Sequence, residues 1–492
     1  MKQRIINFIN SDKDFPVLTG IASGLYPLLY YYNTNYTQVN SVNQFLFFCF
    51  YYILIPVFVF IGLYFLSKKI KVLQASKIKL FAVLNIGWFG YLILLSTIGV
   101  RLKFLILVCL IAFAFAVFFS KHFKKVIVFQ LLMAVMSLVL LIPNIIRHVT
   151  YSSKWMEQPD DIESVVFKQT PNIYFIQADG YANVEELGKG YYNYDNSTFN
   201  DYLNTNGFKN YKNYRSNYYS TLSSNSSLFG MKHHYHSKPQ KPFEELLNAR
   251  SIIVNNNPVL RILKNNNYKT HLLMDKAYFL INKPKIGYDY CNVGLDEIPF
   301  ITRGGMVEKN LKADIIKVLP ENSDSNNFYF IQKLLPSHVT NSSADWAKKD
   351  NEKLMYLKRL EEANVWLKEV VALIENKDKN ALIVISADHG GFVGFNTTLD
   401  SQIKQTDRDL IYSIYTSLLA IKWNDQPPSF ENKLKTPVNF FRILFSYLSQ
   451  DDKYLSNLEE DNSYIILNKG TPFGVYQYIN NQGTIDFKPL PN

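Results

Sequence analysis

Cysteine is scarce in this sequence, with three in 492 residues. Cys49 and Cys109 lie within long apolar runs, which leaves Cys291 as the single cysteine of the remaining chain. A lone cysteine cannot form an internal disulfide, and a zinc knuckle built from paired cysteines is excluded as well. The part of the chain around Cys291 must therefore be stabilised by a hydrophobic core, which about 320 residues can supply.

Acidic residues are almost absent from residues 1–150, which hold two Asp and no Glu against 14 Lys and Arg. The rest of the chain has 38 Lys and Arg against 39 Asp and Glu, so the net charge of +11 belongs to the N-terminal part. Because this part is also strongly apolar, membrane topology explains its basic residues. The pI of about 9.1 is therefore no sign of a nucleic-acid partner, and none is expected.

Long apolar runs dominate the first 150 residues. Most of them reach the roughly 20 residues that cross a bilayer core as a helix. A cleaved signal peptide is the alternative for the first run, but four more runs follow it and no small-residue cleavage site stands out. We therefore expect a five-helix transmembrane domain over residues 1–146, with spans near 15–32, 44–66, 80–99, 104–119 and 126–146.

The charge of the connecting loops alternates along this domain. The loop "NTNYTQVNSVN" after the first run has no charge, whereas the next loop, "SKKIKVLQASKIK", holds five lysines. The positive-inside rule then places the N-terminus in the cytoplasm, and five spans place the rest of the chain outside. We expect a polar juxtamembrane connector at 147–170 and an extracytoplasmic domain at 171–492, on the outer side of a bacterial cytoplasmic (inner) membrane.

The segment 171–492 has the pattern of an α/β domain. The apolar stretches "NIYFIQ", "FYFIQKLL" and "ALIVIS" predict buried strands, and residues 351–375 have helical spacing. Continuous apolar strands with an intervening helix indicate a mostly parallel sheet covered by helices on both faces. Ligands bind beyond the carboxyl ends of such strands, and Asp179, His338, Asp388 and His389 all fall there.

These side chains suggest a metal site, although Asp and Gly at 388–391 could also be an ordinary turn. Two carboxylates and an imidazole can hold a divalent cation with an open position for substrate. A nucleophile is available in the hydroxyl-rich segment "RSNYYSTLSSNSSLFG", residues 215–230. Thr221 is the candidate, with Ser220 and Ser223 behind it, but spacing alone cannot choose among them. A cluster of this composition is also typical of a loop or a helix N-cap.

The order of these motifs resembles the alkaline phosphatase and sulfatase superfamily. "NIYFIQADGYAN", "RSNYYSTLSS" and "VISADHGG" carry the resemblance, together with "YYNYDNSTFNDYLNTNGF" and "TPVNFFRILFSYL". The similarity is greatest to the membrane-anchored branch of sulfatase-like proteins. Lipoteichoic acid synthase and the lipid A phosphoethanolamine transferases belong to that branch.

The resemblance implies roles for individual residues. Asp179, Thr221, Asp388 and His389 match the metal site of the superfamily, and Thr221 would be both ligand and nucleophile. His338 matches a histidine near the substrate or leaving group, where it could donate a proton. Arg215 could contact a phosphate oxygen, or it could be an ordinary surface arginine.

Histidine is also scarce, and its positions restrict the reaction. None of the eight histidines follows His389, whereas the two-zinc relatives use a later histidine for a second metal. One divalent ion (manganese, zinc or magnesium) is therefore expected. The Cys/Ser-x-Pro-x-Arg motif from which sulfatases make formylglycine is also absent from 215–230, which disfavours sulfate ester hydrolysis.

The remaining interpretation is a metal-dependent phosphotransferase with a phospho-threonine intermediate. A phosphoglycerol- or phosphoethanolamine-type group would pass from a membrane phospholipid donor to a surface glycan or lipid acceptor. A phosphodiesterase or sulfatase-like hydrolase is an alternative, and so is a non-catalytic module in surface polymer assembly. Two departures from the family pattern bear on activity: only His338 remains of a His-rich segment, and "GFVGFN" after Gly391 has no charge. His233, His234 and His236 could be compensating ligands or a polar surface stretch.

Overall fold

The computed structural model describes residues 2–234, 244–301, 307–319, 326–340 and 348–490. It divides into an N-terminal unit, Met1–Tyr151, and a C-terminal unit, Ser152–Asn492. The division falls within the predicted connector, whose assignment as a juxtamembrane segment stays a prediction. Residues 152–170 belong to the C-terminal unit, because Met156, Ile162 and Phe167 are buried in it.

The N-terminal unit is helical. Each of the five apolar runs lies in a helix, because a chain in an apolar environment must satisfy its backbone hydrogen bonds internally. A π-helical turn, Phe50–Leu54, joins the third and fourth helices. The helices are α1 (Lys2–Asn10), α2 (Pro16–Val39), α3 (Val42–Cys49), α4 (Ile55–Lys69), α5 (Lys71–Ser96), α6 (Leu102–Phe118) and α7 (Phe123–Val149).

Three helical segments of the described chain are long and apolar enough to cross a membrane: Val42–Lys69, Lys71–Ser96 and Ser120–Met156. Helix α6 is apolar but has only 17 residues, fewer than the roughly 20 that span a bilayer. Helix α2 contains Pro27, and its C-terminal half is rich in tyrosine and asparagine, which lowers its hydropathy. The N-terminal unit is thus an apolar helical region, and the five-span topology stays a prediction.

The C-terminal unit is built on a seven-stranded sheet with strand order β2-β7-β6-β1-β5-β3-β4. The five strands from β6 to β4 run parallel, and β7 is antiparallel to both of its neighbours. A mostly parallel sheet was predicted and is confirmed. Its strands are β1 (Ile173–Ala178), β2 (Lys209–Asn210), β3 (Lys269–Met274), β4 (Tyr290–Cys291), β5 (Asn327–Lys333), β6 (Leu382–Ser386) and β7 (Leu419–Lys422).

Alternating side chains of each central strand enter two separate cores, one on each face of the sheet. On one face, Phe175 and Phe330 pack with Phe441 of α16. On the other, Ile176 and Ile331 pack with α14, whose apolar residues recur at helical spacing. The helices of this unit are α8 (Val184–Leu187), α9 (Ser197–Thr205), α10 (Thr221–Gly230), α11 (Ala249–Val254), α12 (Pro258–Asn265), α13 (Leu311–Val318), α14 (Lys349–Lys377), α15 (Arg408–Tyr415) and α16 (Pro437–Ser449).

A second, antiparallel sheet of three strands completes the unit. It consists of β8 (Ser463–Leu467), β9 (Gly474–Ile479) and β10 (Ile485–Pro489), with β9 in the middle. Tyr218, in the segment before α10, forms a bridge with Tyr464 of β8. The small sheet is thereby held next to the hydroxyl-rich segment that contains Thr221.

Candidate active site

Two neighbouring strands bring an aspartate and an Asp-His pair to one edge of the sheet. Asp179 follows β1 directly, and Asp388 and His389 follow β6. The two strands pair in parallel up to Gln177 and Ser386, so their carboxyl ends lie side by side. Asp388 Oδ1 accepts hydrogen bonds from the backbone N–H of Gly180 and of His389, both at 3.1 Å. Asp388 therefore joins the ends of the two strands.

The turn after Asp179 requires glycine. Gly180 has φ +68°, and a Cβ there would lie 2.2 Å from the carbonyl oxygen of Ser337. The Ser337 N–H in turn donates to the Asp179 carbonyl at 2.7 Å. This close approach brings the segment after β5, including His338, to the same edge of the sheet.

Thr221 is the first residue of α10 and lies against both strand ends. Its hydroxyl donates to Asp179 Oδ1 at 3.0 Å, and its Oγ1 is 3.2 Å from His389 Nε2. Ser220, in extended conformation, is the N-cap, and its carbonyl accepts the N–H of Ser224. Thr221 is thus at the helix N-terminus, where N–H groups without helical partners favour a bound anion.

The group of Asp179, Asp388 and His389 fits a divalent cation. Their ligand atoms lie within 4.8 Å of one another, and all three side chains are buried. His389 Nδ1 is 2.8 Å from the Gly390 carbonyl. Since a carbonyl only accepts, Nδ1 carries a proton, and Nε2 faces the two aspartates at 3.7 and 3.5 Å.

Asp388 Oδ2 is the second sign of a cation site. This buried oxygen has no hydrogen-bond partner in the described part of the chain, and it lies 3.5 Å from His389 Nε2. A buried carboxylate oxygen without a partner is costly, and a metal ion would satisfy it. Two carboxylates and one imidazole suit manganese, zinc or magnesium.

Burial and mutual charge shift the ionisation of these groups. Burial, together with the charge of Asp179, raises the pKa of the Asp388 carboxyl to about 7. Burial disfavours the charged form of Asp179 too, but His389, His338 and the Thr221 hydrogen bond lower its pKa. Burial opposes the imidazolium of His389, yet the two aspartates raise its pKa. The raised pKa values of Asp388 and His389 mean that these side chains tend to hold protons at the position where a cation would bind.

A cavity of about 310 Å³ opens at Thr221. His338 and His389 line it beside Thr221, and their rings are 5.7 Å apart. Burial lowers the pKa of His338, which favours the neutral ring. The rest of the wall is mainly aromatic and aliphatic, and includes Tyr218, Tyr219, Leu222, Tyr278, Phe392, Leu399, Ile466 and Val475. The cavity thus combines a polar end with an apolar wall.

The structure does not bring Arg215 to this cavity. Its side chain is only 5% exposed, and Nη2 donates to the carbonyls of Asp461 and Asn480, the latter at 2.8 Å. It is therefore not a surface arginine either. Arg215 lines a separate cavity, so its predicted contact with a phosphate oxygen at Thr221 has no geometric support.

Two of the three clustered histidines are held by hydrogen bonds. His233 Nδ1 is 3.2 Å from the Tyr218 hydroxyl, and its Nε2 is 2.7 Å from the Glu460 carbonyl. His234 stacks on Tyr218 at 4.1 Å, and its Nε2 is 2.8 Å from the Ser223 carbonyl. Both are buried and stabilise the segment around Thr221, in contrast to the predicted polar surface stretch. His236 lies outside the described residues.

Tyr278 is a cavity residue that the sequence did not reveal. Burial raises its pKa, and Asp179 and Asp388 raise it further, so its hydroxyl keeps its proton. Arg250, paired with Glu245 at 2.7 Å, lies against the tyrosine ring. Tyr278 follows β3, whose carboxyl end lies at the same edge of the sheet as those of β1 and β5. The same strand-end reasoning applied to β3 would have found it.

Comparison with known proteins gives the following similarities. A family model described as Sulfatase matches residues 171–410. No curated protein matches the chain. Several solved structures are distantly similar to this chain, among them the following three. The C-terminal periplasmic domain of EptC from Escherichia coli has 12% identity and a TM-score of 0.40, over 63% of this chain and 93% of that one.

The other two similar structures come from different bacteria. The lipooligosaccharide phosphoethanolamine transferase A of Neisseria meningitidis has 11% identity and a TM-score of 0.38, over 88% of this chain and 95% of that one. The lipoteichoic acid synthase LtaP of Listeria monocytogenes has 15% identity and a TM-score of 0.39, over 66% and 91%.

Proposed function

We propose that this chain is a membrane-bound, sulfatase-like phosphotransferase, and the match of residues 171–410 to the Sulfatase family model supports this. It moves a phosphoglycerol- or phosphoethanolamine-type group from a phospholipid to a surface glycan or lipid. The observation that carries the proposal is the position of Thr221 at a helix N-terminus. Its hydroxyl donates to Asp179, beside an oxygen of Asp388 that has no hydrogen-bond partner among the described residues.

Asp179, Asp388, His389 and Thr221 would hold one divalent cation. Such an ion lowers the pKa of a bound hydroxyl and neutralises charge on a phosphate. The backbone contributes as well, because the N–H groups at the start of α10 favour the negative phosphate oxygens. These residues together activate Thr221 and attract the donor.

The transfer has two halves. Thr221 Oγ attacks the phosphorus in line, the phosphorus–oxygen bond to diacylglycerol breaks, and phospho-Thr221 forms. An acceptor hydroxyl then attacks the same phosphorus and releases Thr221. His338 can serve both halves as a proton carrier, because its lowered pKa keeps the ring neutral at the start. In the first half the ring takes the Thr221 hydroxyl proton and gives it to the diacylglycerol oxygen as the phosphorus–oxygen bond breaks; in the second half it takes the proton of the acceptor hydroxyl and returns it to Thr221 Oγ.

A phospholipid donor agrees with the wall of the cavity and with the apolar N-terminal unit. The side chains of Leu222, Leu399 and Val475 line the cavity and would contact the apolar part of a lipid. The helical N-terminal unit would keep the chain in the membrane that contains the donor. We therefore place the protein in the bacterial cytoplasmic membrane.

The test uses full-length protein in phosphatidylcholine vesicles with manganese and labelled phosphatidylglycerol or phosphatidylethanolamine. We expect release of diacylglycerol from one of these donors and a labelled Thr221 peptide by mass spectrometry. Thr221→Ala should lower the rate at least about a thousandfold, because it removes the nucleophile. Ser223→Ala is the matched control, since Ser223 lines the same cavity, and it should retain activity within a fewfold.

Three outcomes would contradict parts of the proposal. Equal diacylglycerol release by wild type and Thr221→Ala would exclude Thr221 as nucleophile. Release of free phosphate ester, with no label on any acceptor, would indicate hydrolysis in place of transfer. A protein that binds no divalent metal, or binds it equally well as Asp388→Ala, would indicate a non-catalytic module.

A further inference from the structure

We propose that a second cavity of the C-terminal unit binds a phosphate or phosphodiester group at a site separate from Thr221. This cavity measures about 430 Å³ and shares no lining residue with the one at Thr221. It lies between the start of α8, the segment before α10, the start of α15 and the turn between β9 and β10. Five cationic side chains line it: Lys189, Lys212, Arg215, Arg408 and Lys435.

The charges of this cavity do not balance. Glu185 and Glu186 are the acidic residues among those that line it. Lys189 pairs with Glu185 at 2.8 Å, and Arg408 binds Glu186 with two hydrogen bonds. Lys212, Arg215 and Lys435 have no carboxylate within ion-pair distance in the chain as described. The cavity therefore has an excess of three positive charges.

Of these three cationic side chains, Arg215 is the buried one. Its Nη2 donates to two carbonyls, but its buried Nε has no hydrogen-bond partner in the described ranges. Nη1 lies beside Gly483, since a Cβ at Gly483 would be 3.8 Å from it, and Gly483 lines the cavity. A guanidinium that is 5% exposed, with no ion-paired carboxylate among the described residues, is costly to bury. Burial lowers the pKa of Arg215 and the charge of Asp461 offsets this only in part, so a bound anion would offset the remaining cost.

The geometry favours phosphate over a simple carboxylate. Nη2 of Arg215 is used on two carbonyls, which leaves Nε and Nη1 as donors, and the two lysines add flexible point charges. Three cationic side chains suit an anion with several oxygens and up to two charges better than a carboxylate with two oxygens and one charge. The cavity is also larger than one phosphate ion requires, so the attached glycerol, sugar or lipid portion has room. The phosphate could belong to a soluble surface polymer or to a lipid headgroup, and both present the same chemistry.

The experiment is calorimetric titration of full-length detergent-solubilised protein after treatment with EDTA, so that binding does not depend on a cation at Thr221. The probes are glycerol 1-phosphate and dioctanoyl phosphatidic acid. The double variant Lys212→Ala/Lys435→Ala should raise the Kd roughly tenfold, because two cation contacts are lost. Arg215→Gln should also weaken binding, and a melting curve checks that it still folds.

Lys433→Ala is the matched control. Lys433 is exposed in the same segment as Lys435 but does not line the cavity, so its replacement should leave the Kd unchanged. Tighter binding of glycerol 1-phosphate assigns a polymer phosphate, and tighter binding of dioctanoyl phosphatidic acid assigns a lipid headgroup. No binding of either probe, an unchanged Kd in the double variant, or an equal loss in Lys433→Ala would overturn the proposal. Thr221→Ala should bind both probes like the wild type, which separates this site from the proposed reaction.

Discussion

The two carboxylate oxygens of Asp388 have different roles. One of its oxygens accepts two backbone N–H groups and joins the ends of β1 and β6, while the other is buried without a partner among the described residues. The first oxygen fixes the carboxylate, and the second can therefore point at a ligand without any rearrangement. Such a division is what a preorganised metal ligand needs.

The ionisation of Asp388 gives a prediction about metal affinity. Its pKa is raised to about 7 by burial and by Asp179, so below pH 7 a cation must displace a proton that the carboxyl holds. Lower pH should therefore weaken binding, by about tenfold in the Kd for manganese per pH unit below 7 for each proton displaced. Above pH 7 the Asp388 carboxyl is already ionised, so it should no longer make the manganese Kd depend on pH.

Calorimetry in two buffers of different ionisation enthalpy measures both the Kd and the protons released. Asp378→Asn is the control, since Asp378 is also buried but bonds Asn172 and Tyr174 away from the site. This variant should show the same pH dependence as the wild type. A manganese Kd that is constant between pH 5.5 and 7 would contradict the assignment of Asp388 as a ligand.

At the scale of elements, the continuous apolar strands were predictable and the short ones were not. β1, β5, β6 and the helix α14 lie where apolar runs and helical spacing predict them. Their order also places Asp179, Asp388 and His389 at one sheet edge. The strands β2, β4 and β7 have two to four residues, too few for a periodic pattern.

The residues at the centre of the candidate site were predictable from the sequence, and those around them were not. Strand ends indicated the aspartates and the histidines, and the family resemblance selected Thr221 among several hydroxyls. The surroundings depend on tertiary packing, which has no local pattern. Arg215 lies six residues before Thr221 yet faces another cavity, while Tyr278 comes from a distant segment and lines this one.

The turn between β1 and α8 gives a prediction about Gly180. Gly180→Ala should lower the free energy of unfolding by roughly 2–4 kcal/mol, because of the positive φ and the Cβ contact of 2.2 Å with a backbone oxygen. The rate of diacylglycerol release should also fall, since the shifted backbone would move the N–H of residue 180 away from Asp388 Oδ1. Gly188→Ala is the matched control: its φ is −77°, and the nearest atom to a Cβ is 3.8 Å away.

Chemical denaturation of the full-length protein and the diacylglycerol assay measure the two effects. Gly188→Ala should change the free energy of unfolding by less than about 1 kcal/mol. If Gly180→Ala were as stable and as active as Gly188→Ala, the turn would not position the site as described.

The whole molecule combines an apolar helical unit with an α/β unit, and its topology can be tested. The alternation of basic loops predicts five spans, whereas three helical segments reach the length and hydropathy of a span. The two predicted spans that do not reach this length and hydropathy are α2, which contains a proline and several tyrosines, and α6, which has 17 residues. Sequence patterns predict that these segments are helical. Whether they cross depends on their insertion into the bilayer, which an experiment can measure.

Reporter fusions distinguish the topologies. With five spans, alkaline phosphatase fused after residue 40 or after residue 492 should be active, and a fluorescent protein fused after residue 70 should be fluorescent. Opposite results at residues 40 and 70 show that the segment Val42–Lys69 crosses. An active phosphatase at residue 40, with a cytoplasmic N-terminus, shows that α2 crosses as well. An inactive phosphatase at residue 40 would show that α2 does not cross and would exclude five spans.

The bond from Gly180 to Asp388 has a consequence for the cell. The carboxylate that fastens the two central strands also lacks a partner on its other oxygen among the described residues, so assembly of the sheet and binding of a cation depend on one residue. If the C-terminal unit lies outside the membrane, as proposed, a chain that meets no metal should open more often at its centre and be degraded sooner by proteases there. The amount of the protein would then follow the supply of metal in the surroundings, without any change in gene expression.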